Sequence, residues 1–171
     1  QGRHRTETFG PDQPWGQVRK PKVQVKLELF NSQDNRMGMP LPKGRVRVYK
    51  ADENKSLQFI GEDEIDHTPR DERVLLYIGD AFDIVGEWRQ TNLKRLGPGV
   101  WEETIEVKLR NHKDTDVEVI CQERAFANWE VIQESQEHTK RDAFSFEYLV
   151  PVKTNGEATV TYTIRITMWA R

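Results

Sequence analysis

Polar and apolar residues alternate along most of this chain. Over residues 158–168 every second side chain is apolar (Ala158, Val160, Tyr162, Ile164, Ile166, Met168), with Thr159, Thr161, Thr163, Arg165 and Thr167 between them. A period of two, rich in β-branched residues, fits a strand with one dry face and one wet face. The pattern recurs at 23–29, 45–50, 57–61, 74–78, 105–109, 117–121 and 144–152, with a long, bent strand predicted over 82–96 and a short one over 129–132. Turn signals separate these runs: 31–38, the polar 51–55, Gly97-Pro98-Gly99, 111–116 and the hairpin signal Thr154-Asn155-Gly156. Pro40 and Pro42 exclude a central strand over 39–44. Only 115–124 reads ambiguously between strand and helix, and no segment predicts a helix by itself. About nine strands at this spacing predict an all-β fold, a two-sheet antiparallel β-sandwich of immunoglobulin-like type.

Residues 1–21 break the pattern. Gly2, Gly10, Pro11, Pro14, Gly16 and Pro21 punctuate a segment without periodicity, which reads as an extended N-terminal arm before a sandwich domain over 22–171. Phe9, Trp15 and Val18 are its candidate anchors. The arm either folds back on its own domain or docks on a neighbouring subunit.

Composition narrows the function classes. The 171 residues suffice for one domain with a real core. Only 36% are hydrophobic and 32% charged, a balance that thin β layers tolerate because each strand commits half its residues to the core. The net charge of −2, with both signs interspersed, gives no nucleic-acid surface, and no apolar run is long enough for a membrane span. The chain starts at Gln1 rather than Met, which leaves room for a leader upstream. The single Cys121 forms no internal disulfide and, in phase with Val117 and Val119, reads as a buried, inert thiol.

Five blocks then carry a resemblance: Leu41-Pro-Lys-Gly-Arg-Val-Arg-Val-Tyr49, Phe59-Ile-Gly-Glu-Asp63 with Ile65-Asp-His-Thr-Pro69, Gly79-Asp-Ala-Phe-Asp83, Leu109-Arg-Asn-His-Lys113 and Asn128-Trp-Glu-Val131. In this order, and over roughly 23–166, the chain resembles the bacterial family called domain of unknown function 4139, usually the C-terminal part of longer proteins. The resemblance implies a β-rich sandwich in an extracellular or periplasmic, cell-envelope setting. It implies no activity, because the family has no established catalytic residues. Relatives usually place a coiled coil and a small β domain upstream, which this chain lacks, and Trp88 stands where they are expected to carry a basic residue.

Candidate chemistry is thin. Glu62-Asp63-Glu64, Asp66-His67 and Asp71-Glu72 gather carboxylates around an imidazole, a donor set suited to Ca²⁺ or a transition metal. They lack EF-hand loop spacing and straddle Pro69, so the default reading is a solvated acidic loop. Asp80 and Asp83 with His112 read as turn and strand-end residues, and Glu137, His138 and Asp142 as a solvated loop. None of Ser32, Ser56, Ser135 and Ser145 sits in a Gly-x-Ser-x-Gly elbow, and P-loop, dinucleotide and zinc patterns are absent from the sequence. No enzyme activity, metal or cofactor is expected.

The tryptophans remain. Trp88 and Trp169 have charged or polar neighbours and are expected to be partly exposed, where aromatics suit sugar rings or a protein partner. The sequence therefore predicts a non-enzymatic structural module, self-associating into an oligomer or filament or docking on an envelope partner through its arm and strand edges. Its interface candidates are Phe9, Trp15, Val18, Trp88 and Trp169. The alternative is a module that binds envelope carbohydrate or protein through exposed tryptophans.

Overall fold

The computed structural model describes residues 3–7 by their backbone, and residues 18–51 and 55–168 in full. Among them, in chain order, lie thirteen strands: β1 (Arg3–Glu7), β2 (Val18–Arg19), β3 (Gln24–Phe30), β4 (Gly44–Ala51), β5 (Leu57–Ile65), β6 (Arg73–Asp80), β7 (Ile84–Gly97), β8 (Val100–Asn111), β9 (Val117–Arg124), β10 (Asn128–Glu134), β11 (Thr139–Asp142), β12 (Ser145–Val152) and β13 (Glu157–Thr167). A single 3-10 turn, Gln33–Asn35, is the one helical element among the described residues. The protein is all-β, with several antiparallel sheets. It divides into two compact units, one of Gln1–Arg3 with Gln24–Asp80, the other of His4–Val23 with Ala81–Arg171.

In the first unit β3 pairs antiparallel with β6, and β4 with β5. Asn31 is fully buried and ties its two long loops together: Nδ2 donates to the carbonyls of Met39 (2.8 Å) and Pro69 (2.9 Å), and Oδ1 accepts from Gly38 N–H (3.0 Å). The proline-bearing 39–44 stretch makes only the isolated bridge Leu41–Thr68 before β4, as its lost donors require. The β5 strand passes close to β6. A Cβ on Gly61 would stand 2.6 Å from the Ile78 carbonyl oxygen, so only glycine fits without a shift. Two residues on, Asp63 Oδ2 accepts the Tyr77 N–H at 2.7 Å. The far half of the β4–β5 hairpin is apolar and open to solvent: Leu57 is 70% exposed and Phe59 55%, with Tyr49 edge-on to Phe59 at 5.7 Å.

In the second unit one set of strands runs β11-β12-β9-β1 and another β10-β13-β8-β7-β2. The alternation read from the sequence is realised. Val160, Tyr162, Ile164 and Ile166 of β13 are buried, and Ile105, Val107 and Leu109 of β8 lie in the same core. Val119 and Cys121 of β9 join them, with Phe146, Tyr148, Val150 and Val152 of β12. On the wet side of the β8–β13 ladder, Thr104 and Thr163 share a hydroxyl–hydroxyl bond of 3.0 Å and Glu102 binds Arg165 at 2.7 Å. Met168, last of the periodic residues, is exposed beyond the end of β13. The turns are fixed by a second buried asparagine. Asn111 Nδ2 donates to the carbonyls of Thr115 (2.9 Å) and Lys153 (3.1 Å), and Oδ1 accepts from Lys113 N–H (2.9 Å), joining the β8–β9 turn to the β12–β13 turn.

Candidate functional site

The described parts of the N-terminal arm contain two strands, β1 and β2, and each pairs with a strand of the second unit. β2 pairs antiparallel with β7. β1 pairs parallel with β9, in the register His4↔Val119, Arg5↔Ile120, Thr6↔Cys121 and Glu7↔Gln122. Nothing in the polar sequence of β1 predicts a strand. It is held by its main chain, whose donors and acceptors match any strand edge. On its other side β9 is paired with β12 over its whole length, from Val152↔Val117 to Ser145↔Arg124. Within the ambiguous segment 115–124, Val117–Arg124 therefore folds as a strand, because Val117, Val119 and Cys121 face the core in a two-residue period.

The outer strands of this unit present poor templates for further pairing. β11 is short, and its four residues Thr139, Lys140, Arg141 and Asp142 are all exposed. β10 is broken by a bulge between Val131 and Gln133. Short, charged or bulged edges resist strand addition. The β1–β9 ladder is the candidate site, as the place where the arm meets the body.

The five interface candidates do not form one surface. Phe9, Trp15 and Trp169 lie outside the described residues. Val18 is half-exposed on β2, pairing with Arg89. Trp88 corrects the expectation of partial exposure: it is only 7% exposed. It follows Ile84 and Gly86 on the inward side of β7, opposite Val107, and the Arg19 guanidinium covers its ring at 4.7 Å. Its charged sequence neighbours simply occupy the other face of the strand. Trp101 and Trp129 are half-buried, their indole N–H groups donating to Glu103 (3.0 Å) and to the Ala143 carbonyl (2.7 Å). No tryptophan among the described residues forms an open platform.

A polar and aromatic cluster escaped the sequence reading. The His138 ring is partly buried; it packs on Phe146 and Trp129, and its Nδ1 lies 2.8 Å from Glu134 Oε2. The Tyr148 hydroxyl donates to the same oxygen at 3.0 Å. Burial, then the hydrogen bond to Glu134, raises the Tyr148 hydroxyl far above its usual range. Tyr162 is raised likewise, by full burial and then by the charge of Glu123. Both phenols therefore stay protonated and act as donors, so the cluster fixes the inner face of β12 against β10 and β13. The i, i+4 spacing of Glu134 and His138 was the only local signal; the tyrosines join from other strands. On the same unit a groove of about 500 Å³ is lined by Arg124, Phe126, Asp142, Phe144 and Ser145 among others. Asp142 accepts from Ser145 Oγ and Phe144 N–H at 2.7 Å each.

Several side chains of the acidic run 62–72 have partners. Glu62 binds Arg45 (3.4 Å) and Arg47 (3.2 Å), Asp63 holds Tyr77, and Asp66 binds Lys43 at 3.3 Å. His67 Nδ1 accepts from the Lys43 N–H at 3.3 Å. Across the described residues no three His, Cys, Asp or Glu side chains converge as metal ligands. Asp80 accepts from the Tyr77 hydroxyl, and His112 meets Asp83 through the backbone alone, its N–H donating to the Asp83 carbonyl at 2.7 Å. No helix among the described residues is long and apolar enough to cross a membrane.

Comparison with known proteins adds nothing to this geometry: no family model matches the chain, and no curated protein matches it.

Proposed function

We propose that this chain is a non-enzymatic assembly module, an immunoglobulin-like two-sheet sandwich that docks on another protein chain through its N-terminal arm. The observation that supports this reading is that the arm, polar and without periodicity, is used as a strand, which in the structure pairs with β9 of its own chain. Strand addition supplies affinity through main-chain hydrogen bonds and needs no apolar contact residues, which suits the composition of this arm. The open apolar end of the β4–β5 hairpin supports the same reading, because a two-stranded hairpin is marginal alone and exposed aromatics mark contact surfaces. The cell-envelope setting is part of the proposal and rests on the family resemblance. The burial of Trp88 removes support from the carbohydrate-platform alternative.

The test is deletion of residues 1–20. The truncated chain is expected to lose assembly, read by light scattering, while keeping a cooperative melting transition. A truncated chain that forms the same oligomer as the full chain overturns the reading.

A further inference from the structure

We infer that the outer face of the β4–β5 hairpin is a self-association surface, and that its occupant is the same face of a second copy, stacked so that each β4 lies over the other's β5. This goes beyond the arm reading and uses a different part of the chain.

The hairpin register sorts the side chains. Arg45 stands opposite Glu64, Arg47 opposite Glu62, Tyr49 opposite Phe59 and Ala51 opposite Leu57, so these pairs share one face. The other face carries Val46, Val48, Gly61, Asp63 and Ile65, each buried or half-buried. The first face is open. Leu57, Phe59 and Tyr49 are all exposed, and the four charged side chains are between 40% and 71% exposed. Along its length this face divides into an apolar half toward the turn and a charged half. Across its width the charged half is basic on β4 and acidic on β5. The ion pairs within the hairpin span 3.2–3.8 Å, and their exposure leaves guanidinium donors and carboxylate oxygens for a further partner.

This layout is complementary to itself in one arrangement. A two-fold axis between two stacked hairpins runs either along the strands or across them. Along the strands, it sets apolar half over apolar half and Arg45 and Arg47 over Glu64 and Glu62 of the second copy. Across the strands, it sets β4 on β4 and covers charged side chains with apolar ones, which desolvates charge without pairing it. Edge-to-edge pairing of two β4 strands fares no better, because it lines up Arg45, Arg47 and Lys50 of both copies. Charge and apolarity together therefore select the stack along the strands. Sheets pack about 10 Å apart with strands within about 30° of each other, a spacing that Arg and Glu side chains span. The Tyr49–Phe59 edge-on pair, 5.7 Å between centroids, then loses its water against its own counterpart. Two strands of this length cover only about 26 by 10 Å, against roughly 800 Å² per partner in a stable complex. The contact is thus weak and fills at high protein concentration.

The charge layout supplies the assay. A trace of fluorescently labelled full chain is sedimented in a rising excess of unlabelled full chain. Unaltered tracer in unaltered excess is expected to sediment faster as the excess rises. The swapped chain R45E/R47E/E62R/E64R keeps its internal ion pairs but sets like charge over like against the unaltered tracer. Association in that mixture is expected to fall by about ten-fold or more. Swapped tracer in swapped excess is expected to regain it. Contacts elsewhere on the chain, the arm included, are indifferent to the swap. Equal association in all three mixtures overturns the inference, as does none in any, or a folded swapped chain that does not associate with itself. Should the swapped chain fail to melt cooperatively, Phe59→Ser in excess is read instead, and association equal to that of the unaltered chain overturns the inference. The arm reading is judged separately by deletion of residues 1–20 and survives either result.

Discussion

Replacing Asn111 by alanine tests how the turns at one end of the second unit are held. The residue is 1% exposed and makes three side-chain hydrogen bonds between 2.9 and 3.1 Å. Two of these satisfy the carbonyls of Thr115 and Lys153, in different turns, and the third satisfies the Lys113 N–H. At about 1 kcal/mol per neutral hydrogen bond the loss is roughly 3 kcal/mol. For a chain of this size each kcal/mol lowers the melting temperature by about 2–4 °C, so calorimetry or circular dichroism should show a drop of roughly 6–12 °C. Asn111→Asp should fall at least as far near neutral pH, because the new carboxylate has no N–H for either carbonyl and is buried beside them. Its folded-state pKa is thereby raised, so the folded chain binds the proton more tightly than the unfolded one. The stability of N111D, relative to N111A, therefore rises as pH falls and is lost as pH climbs through that raised value. A shift under about 2 °C for N111A would refute the reasoning, as would N111D melting like the unaltered protein at neutral pH.

Three further outcomes are expected. Tyr148→Phe leaves Glu134 without its phenolic donor and should cost about 1.5–3 kcal/mol in chemical denaturation, yet it should not change alkaline absorbance titration short of unfolding, since this phenol stays protonated in the folded chain. Gly61→Ala forces β5 away from the Ile78 carbonyl and should destabilise the first unit by about 1–3 kcal/mol, read as increased amide exchange in β5 and β6 against unchanged β8 and β13. The Asp116 carboxyl is held below its usual range, first by Lys153 and then by the Thr154 N–H, so its stabilisation is present above the ordinary carboxyl pKa and fades as pH falls through the lowered value. Asp116→Asn should accordingly melt lower than the unaltered chain at neutral pH, with the difference vanishing in acid; a pH-independent gap would show the carboxylate charge to be irrelevant.

Much of the architecture was legible because one physical rule dominates it. Strands with one buried face write a two-residue period into the sequence, and β8, β9, β12 and β13 all lie where that period runs. The strands that escaped, β1, β2 and β11, have no periodic pattern in sequence and exist through pairing: β11 leans on β12, β1 on β9 and β2 on β7. Division into two units was equally silent, since no Pro- or Gly-rich linker separates Asp80 from Ala81. The misreading of Trp88 has a simple cause. Its neighbours Glu87 and Arg89 suggested a wet site, yet alternation along β7 sends them to the opposite face from the indole. Likewise Glu134 meets Tyr148 across strands, and no local pattern announces a contact between residues on separate strands. The site's key fact, that residues 4–7 meet 119–122, is a non-local pairing of a segment with no pattern. Only the lack of periodicity over residues 1–21 marked the arm as different.

Light scattering of the full chain, with electron microscopy of the same sample, is the most direct test of assembly. The assembly reading predicts particles whose mass is a multiple of 20.1 kDa. A uniform population at 20.1 kDa across the accessible concentration range would contradict it and leave β1 as a strand that serves its own chain alone.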